Sequence, residues 1–153
     1  AAGGLVAVPA GRLAVGTLTG AGTVTALGVT AAGTVSAGDA DGAAATLTVN
    51  GGLTLTNGVL VRVDYDPPAC DRVKVNGTLT LLGGGTLEVN CSVGGLLEQS
   101  PVVMEFTGIE GGENLAQWAV TGTVRSRYTV KPVIVGNTVQ LTFNRRGLIL
   151  TVQ

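Results

Sequence analysis

Residues 46–58 read TLTVNGGLTLTNG and residues 73–85 read VKVNGTLTLLGGG, two lines that align without a gap at an offset of 26. The same offset pairs Val49 with Val75, Asn50 with Asn76, Gly51 with Gly77, Leu53 with Leu79, Leu55 with Leu81 and Gly58 with Gly84, and runs on through Val61 with Leu87 and Val63 with Val89. Strand side chains alternate between faces, so a slip of one residue would turn every inward side chain outward. The ungapped register therefore predicts one shared interior for Val49, Leu53, Leu55, Val61, Val63, Val75, Leu79, Leu81, Leu87 and Val89.

A unit of this length, made of short strands and glycine turns, fits two arrangements. The Asn-Gly pairs are local hairpin signals and favour a meander. Against that, matched positions are alike and not complementary: Leu over Leu, Thr over Thr, Asn over Asn. Coils stacked about 4.7–4.9 Å apart align equivalent residues in this way. The reading is an all-β chain, a β-solenoid with one coil per repeat.

Working outward, GVLVRVDYD (58–66) alternates Val59, Val61, Val63 and Tyr65 against Leu60, Arg62, Asp64 and Asp66, the period of a half-buried strand. Upstream, the motif G-T-[LV]-[TS] recurs from Gly16, Gly22 and Gly33 at irregular spacing, with Ala where Leu stands later. Downstream of Pro101 the texture changes. ENLAQWAV (113–120) is the best helical candidate at two turns or fewer, and Gly136-Asn137 between alternating runs predicts a hairpin whose Pro132 marks an edge strand. One domain, 1–153, thus divides into short irregular coils (about 1–45), two regular coils (46–100), and a terminal coil, hairpin cap and final strand (101–153). In that final strand, Leu148, Ile149, Leu150 and Val152 are strongly apolar and are candidates for self-association with a neighbouring molecule.

Composition narrows the function classes. Hydrophobic residues make up 45% of the chain but aromatics 3%, so the core is built from Val, Leu, Ile and Ala; charged residues, at 12%, are about half the usual share. A net charge of −1 gives no electrostatic footprint for nucleic acid, and isolated aromatics offer no stacking platform for bases. No apolar run approaches the roughly 20 residues that cross a bilayer as a helix, so no membrane insertion by this segment is expected. The chain lacks histidine, which removes His-based triads. No cofactor or metal is expected: Asp39-Ala-Asp41-Gly42 reads as a plain turn because the remaining oxygen ligands of a calcium loop are missing.

The runs GTVSAGDADGAAATLTVNGGLTLTNGVLVRVDYD, DRVKVNGTLTLLGGGTLEV, PVVMEFTGIEGG, AQWAV and GNTVQLTF, taken in order, resemble the C-terminal part of bacterial autotransporter passenger domains and their autotransporter-associated β-strand repeats. The likeness covers about residues 33–143. It implies a right-handed parallel β-helix with a C-terminal β-hairpin cap, extracellular or on the cell surface of a bacterium, non-catalytic, and structural or adhesive toward a host or surface ligand. The chain departs from such passengers in carrying two cysteines.

Cys70, in DPPACD between the repeats, and Cys91, after the second, read as neighbours at one corner of successive coils. Stacked corners about 4.8 Å apart lie within the roughly 4.4–6.8 Å between Cα atoms that a disulfide spans. A bridge and two separate buried thiols both remain open at this stage. Arg62, Asp64, Asp66, Asp71 and Arg72 form a small polar cluster expected on an outer face. A carbohydrate-active β-helix would use such carboxylates and cations, while the bland reading is a solvated corner. A filament subunit joined end to end is the remaining alternative.

Overall fold

The structure, a computed structural model, describes residues 5–38, 44–66, 69–91, 100–123 and 128–145. The candidates Leu148, Ile149, Leu150 and Val152 and the Asp39-Ala-Asp41-Gly42 turn lie outside the described residues.

The chain is all-β. Its strands are β1 (Leu5–Thr19), β2 (Thr23–Ser36), β3 (Thr46–Leu55), β4 (Leu60–Asp66), β5 (Ala69–Cys70), β6 (Arg72–Leu81), β7 (Thr86–Cys91), β8 (Val102–Glu110), β9 (Ala119–Thr121), β10 (Tyr128–Val135) and β11 (Thr138–Arg145), with a 3-10 helix at Gly112–Gln117. They form one eleven-stranded mixed sheet in the order β10-β11-β8-β6-β3-β2-β4-β7-β9, with β1 added to β2 and β5 to β4. The sheet curls into a nearly closed, barrel-like wall around the core.

Two parallel arms leave β2. Its first part pairs with β3 through Thr23–Thr48 to Ala31–Leu55, and its last part pairs with β4 through Thr34–Leu60 to Ser36–Arg62. One arm continues to β6 and β8, the other to β7 and β9. Two strands, β3 and β4, thus pair along the single strand β2, with the turn through Thr56 to Val59 between them. β3 on β6 and β4 on β7 keep the repeat's offset: Val49 opposes Val75, Leu53 opposes Leu79, Leu55 opposes Leu81, Val61 opposes Leu87 and Val63 opposes Val89.

Each column of partners is a column of the core. Val29, Leu53 and Leu79 are all 1% exposed or less, as are Val35, Val61 and Leu87. Complete burial of one such Val or Leu stabilises by roughly 1.5–3 kcal/mol. The smaller side chains upstream show where Ala31 stands opposite Leu55, which stands opposite Leu81.

The Asn-Gly pairs do not make hairpins. Asn50-Gly51 and Asn76-Gly77 lie inside β3 and β6 as kinks. A Cβ on Gly51 would meet the Ala26 carbonyl oxygen at 1.9 Å and one on Gly77 the Gly51 carbonyl oxygen at 2.4 Å. Glycine is set here by the backbone of the neighbouring parallel segment, so sheet pairing overrides the local turn signal. The asparagines stack as well: Asn76 Nδ2 donates to Asn50 Oδ1 at 2.7 Å.

The expected hairpin is present, with β10 antiparallel to β11 around Gly136-Asn137 and Gly136 at φ 57°. β11 lies antiparallel on β8 and leaves β10, with Pro132 and Lys131, as the outer strand. The helical candidate 113–120 is a 3-10 segment at Gly112–Gln117 that gives way to strand at Ala119. It seals a corner: Asn114 Nδ2 donates to the Leu81 carbonyl at 2.8 Å, and Trp118 Nε1 donates to the Gly83 carbonyl at 3.1 Å.

Candidate functional site

The sequence-predicted polar cluster sits where β4 ends and β6 begins, and the fold divides it. Arg62, on β4, pairs with Glu88 of β7 at 3.0 Å, across one arm of the sheet. Arg72, at the start of β6, pairs with Glu105 of β8 across the other arm. Both pairs are half exposed to solvent, where such contacts contribute about 0–1 kcal/mol. Asp66 is exposed at the end of β4.

Asp71 is the correction to the outer-face reading: it is 1% exposed. Its Oδ1 accepts the Ala45 N–H at 2.9 Å and its Oδ2 accepts the Asp64 N–H at 3.0 Å, while the Asp71 N–H donates to the Asp64 carbonyl at 2.9 Å. A buried carboxylate is tolerable only when its oxygens are hydrogen-bonded. Here those bonds tie the segment entering β3, the strand β4 and the start of β6 into one corner. Asp64 contributes its backbone to this junction.

The cysteines are corrected by register. Tyr65 opposes Cys70 of β5 in an antiparallel pair and Cys91 of β7 in a parallel pair. A strand has two edges, so the cysteines stand on opposite sides of Tyr65, two strand spacings or about 9.5 Å apart. That exceeds the roughly 4.4–6.8 Å a disulfide spans. Cys70 and Cys91 are accordingly separate thiols. Burial pushes the Cys70 thiol up to about 12, helped by the Asp71 and Asp64 carboxylates and opposed by Arg72. Its Sγ–H donates to the Asp71 carbonyl at 3.3 Å. Burial likewise raises the Tyr65 phenol, and the neighbouring thiols add to the effect.

Three of the five aromatic residues, Tyr65, Tyr128 and Phe143, spread singly along the sequence, meet at this corner. Phe143 of β11 stacks on Tyr65 with ring centroids 5.7 Å apart and meets Tyr128 edge-on at 6.0 Å. The hairpin is thereby fastened to the junction that Asp71 holds. The alternation of residues 58–66 marks Tyr65 as inward, but no signal in the sequence joins it to Tyr128 and Phe143, which lie more than 60 residues further on and outside the repeat.

A separate cleft of about 440 Å³ opens between the 3-10 helix, β9 and β10, lined by Leu115, Trp118, Val120, Val130, Lys131 and Pro132 among others. None of the described residues lining it is acidic. Among the described residues, no group of three or more His, Cys, Asp or Glu could hold a metal ion. The chain matches no protein-family model, no curated protein and no solved structure.

Proposed function

We propose that the chain is a right-handed parallel β-helix with a hairpin cap, carried on or released from a bacterial surface, where it serves as a non-catalytic structural or adhesive element. The observation that supports this most is the fate of the polar groups. Asp71 is enclosed and accepts backbone N–H groups with both carboxylate oxygens, and Arg62 and Arg72 each pair along the stack with Glu88 and Glu105. Acid and base catalysis on a sugar needs carboxyl groups facing a common substrate, roughly 5–9.5 Å apart and open to it. These side chains instead hold neighbouring coils together.

The parallel offset of 26 supports the helical winding, and the resemblance to passenger repeats supports the compartment. Purified protein is expected to leave a panel of acidic polysaccharides uncut. Turnover that disappears in Asp64→Ala or Arg72→Ala would overturn the non-catalytic reading, and recovery of the native protein in the cytosolic fraction would overturn the surface assignment.

A further inference from the structure

The strand order ends with β9 on one side and β10 on the other. Among the described residues β9 pairs only with β7 and β10 only with β11, so the barrel-like wall stays open between these two strands. The cleft of about 440 Å³ lies in that opening, with Val120 of β9 on one flank and Val130, Lys131 and Pro132 of β10 on the other. Its volume falls within the roughly 300–1,000 Å³ typical of small-molecule sites.

The cleft reaches the core, because Leu115, Trp118 and Val130 line it and are themselves buried. Trp118 is the chain's single tryptophan. Its one polar atom is already engaged, Nε1 donating to the Gly83 carbonyl at 3.1 Å. The backbone at Gly85 packs against the ring so closely that a Cβ there would lie 2.9 Å from it. What the indole offers the cleft is therefore a fixed apolar and π surface, which takes a flat or unbranched hydrocarbon body.

The polar side of the cleft is positive. Lys131 is exposed on β10, and neither ion pair found among the described residues involves it. Val130 stands opposite Phe143 and Pro132 opposite Leu141. The Leu141 N–H turns away from β10 to the Pro101 carbonyl, which marks these as the pairs without mutual hydrogen bonds, so the backbone of Val130 and Pro132 faces away from β11. On that side Val130 presents an N–H, whereas Pro132 has none to present. A donor missing in mid-strand disfavours the addition of a further strand. One cation and one amide beside an apolar wall suit a small anion instead.

We propose that this cleft binds a small organic anion, a monocarboxylate with a flat or unbranched apolar body. The carboxylate pairs with the Lys131 ammonium at the mouth, and the body lies against Trp118, Leu115 and Val130. Burial of the hydrocarbon supplies the affinity, and the charge selects the head group. The inference stands on the geometry of the cleft and does not depend on the function proposed above.

The test titrates the 153-residue chain with octanoate and follows the fluorescence of Trp118. Titrations with 1-octanol and octylammonium keep the hydrocarbon body and change the head group. Octanoate is expected to shift the Trp118 emission saturably, binding about fivefold more tightly than octanol and at least about tenfold more tightly than octylammonium. Lys131→Gln is expected to weaken octanoate about fivefold and leave octanol unchanged, while Lys131→Arg restores octanoate binding. Both variants should keep the wild-type Tm, since residue 131 is exposed. The proposal is overturned by absence of a saturable shift below the micellar limit of octanoate, by equal binding of the three compounds, or by a Lys131→Gln chain that binds octanoate as the wild type does. Octanoate that perturbs backbone amide resonances elsewhere but not those of Val120 and Val130 would overturn it too, by placing the ligand outside the cleft.

Discussion

Replacing Asp71 by Ala is the sharpest test of the corner. The substitution leaves the N–H groups of Ala45 and Asp64 without their carboxylate acceptor. An amide deprived of its partner in a buried site loses about 1–3 kcal/mol. Two such losses, offset in part by no longer burying a charge, give a destabilisation of about 3 kcal/mol. For a chain of this length each kcal/mol lowers Tm by about 2–4 °C, so a fall of roughly 6–12 °C is expected in a thermal melt followed by circular dichroism. Asp71→Asn keeps one acceptor oxygen but turns an NH₂ toward the other N–H, and should fall between wild type and Asp71→Ala. Asp64→Ala is the control, because Asp64 acts through its backbone and the substitution keeps that N–H. Were Asp71 a solvated corner residue, both alanine variants would lie within about 0.5 kcal/mol of wild type. Melts of Asp71→Ala and Asp64→Ala that coincide would refute the reasoning.

The stack and the thiol make two more predictions. Gly77→Ala is expected to destabilise far more than Gly58→Ala: the first drives a Cβ to 2.4 Å from the Gly51 oxygen, whereas Gly58, at φ 86° with open space around its Cβ position, incurs only the left-handed penalty of about 1–2 kcal/mol; urea midpoints compare the two. Cys70, with its thiol pushed up to about 12, should react with iodoacetamide at pH 8 about a thousandfold more slowly in the folded chain than in urea, by its smaller thiolate fraction. The sign of the linked pH effect follows from the same shift. Above about pH 9 the unfolded chain releases this proton while the folded chain keeps it, so stability should fall as pH rises from about 9 toward 12 and should fall less in Cys70→Ala, as read by urea unfolding across that range.

What the sequence disclosed and what it concealed differ in kind. Leu53 opposite Leu79 and Val61 opposite Leu87 were legible because a strand's period of two and an ungapped offset together leave one register in which the core is apolar. The hairpin at Gly136-Asn137 was legible because its signal is local. Asp71 was not: it lies between Cys70 and Arg72 in a polar stretch, and its counterpart one repeat earlier is Ala45, so neither neighbours nor repeat mark it as interior. The cysteines were placed at the right corner but on the wrong sides of it. The two-residue strand β5 folds back antiparallel on β4, and that brief reversal sets Tyr65 between Cys70 and Cys91.

The unpredicted features share one location, and that has a consequence for how the stack holds together. A strand in the sheet pairs only with the strands beside it, so much of its stabilisation comes from cross-strand neighbours. A cavity at Leu53 or Leu79 weakens one column between adjacent strands. The corner is different: Asp71 binds Ala45 just ahead of β3 and Asp64 on β4, while Phe143 brings the hairpin onto Tyr65 one residue further along that strand. Segments far apart in sequence therefore meet around β4. Losing the Asp71 hydrogen bonds loosens the seat of Tyr65 and with it the anchorage of the cap, so the cap should lose exchange protection together with the corner and not after it. Residues that the repeat leaves unmarked thus couple otherwise local strand pairs into one cooperative unit.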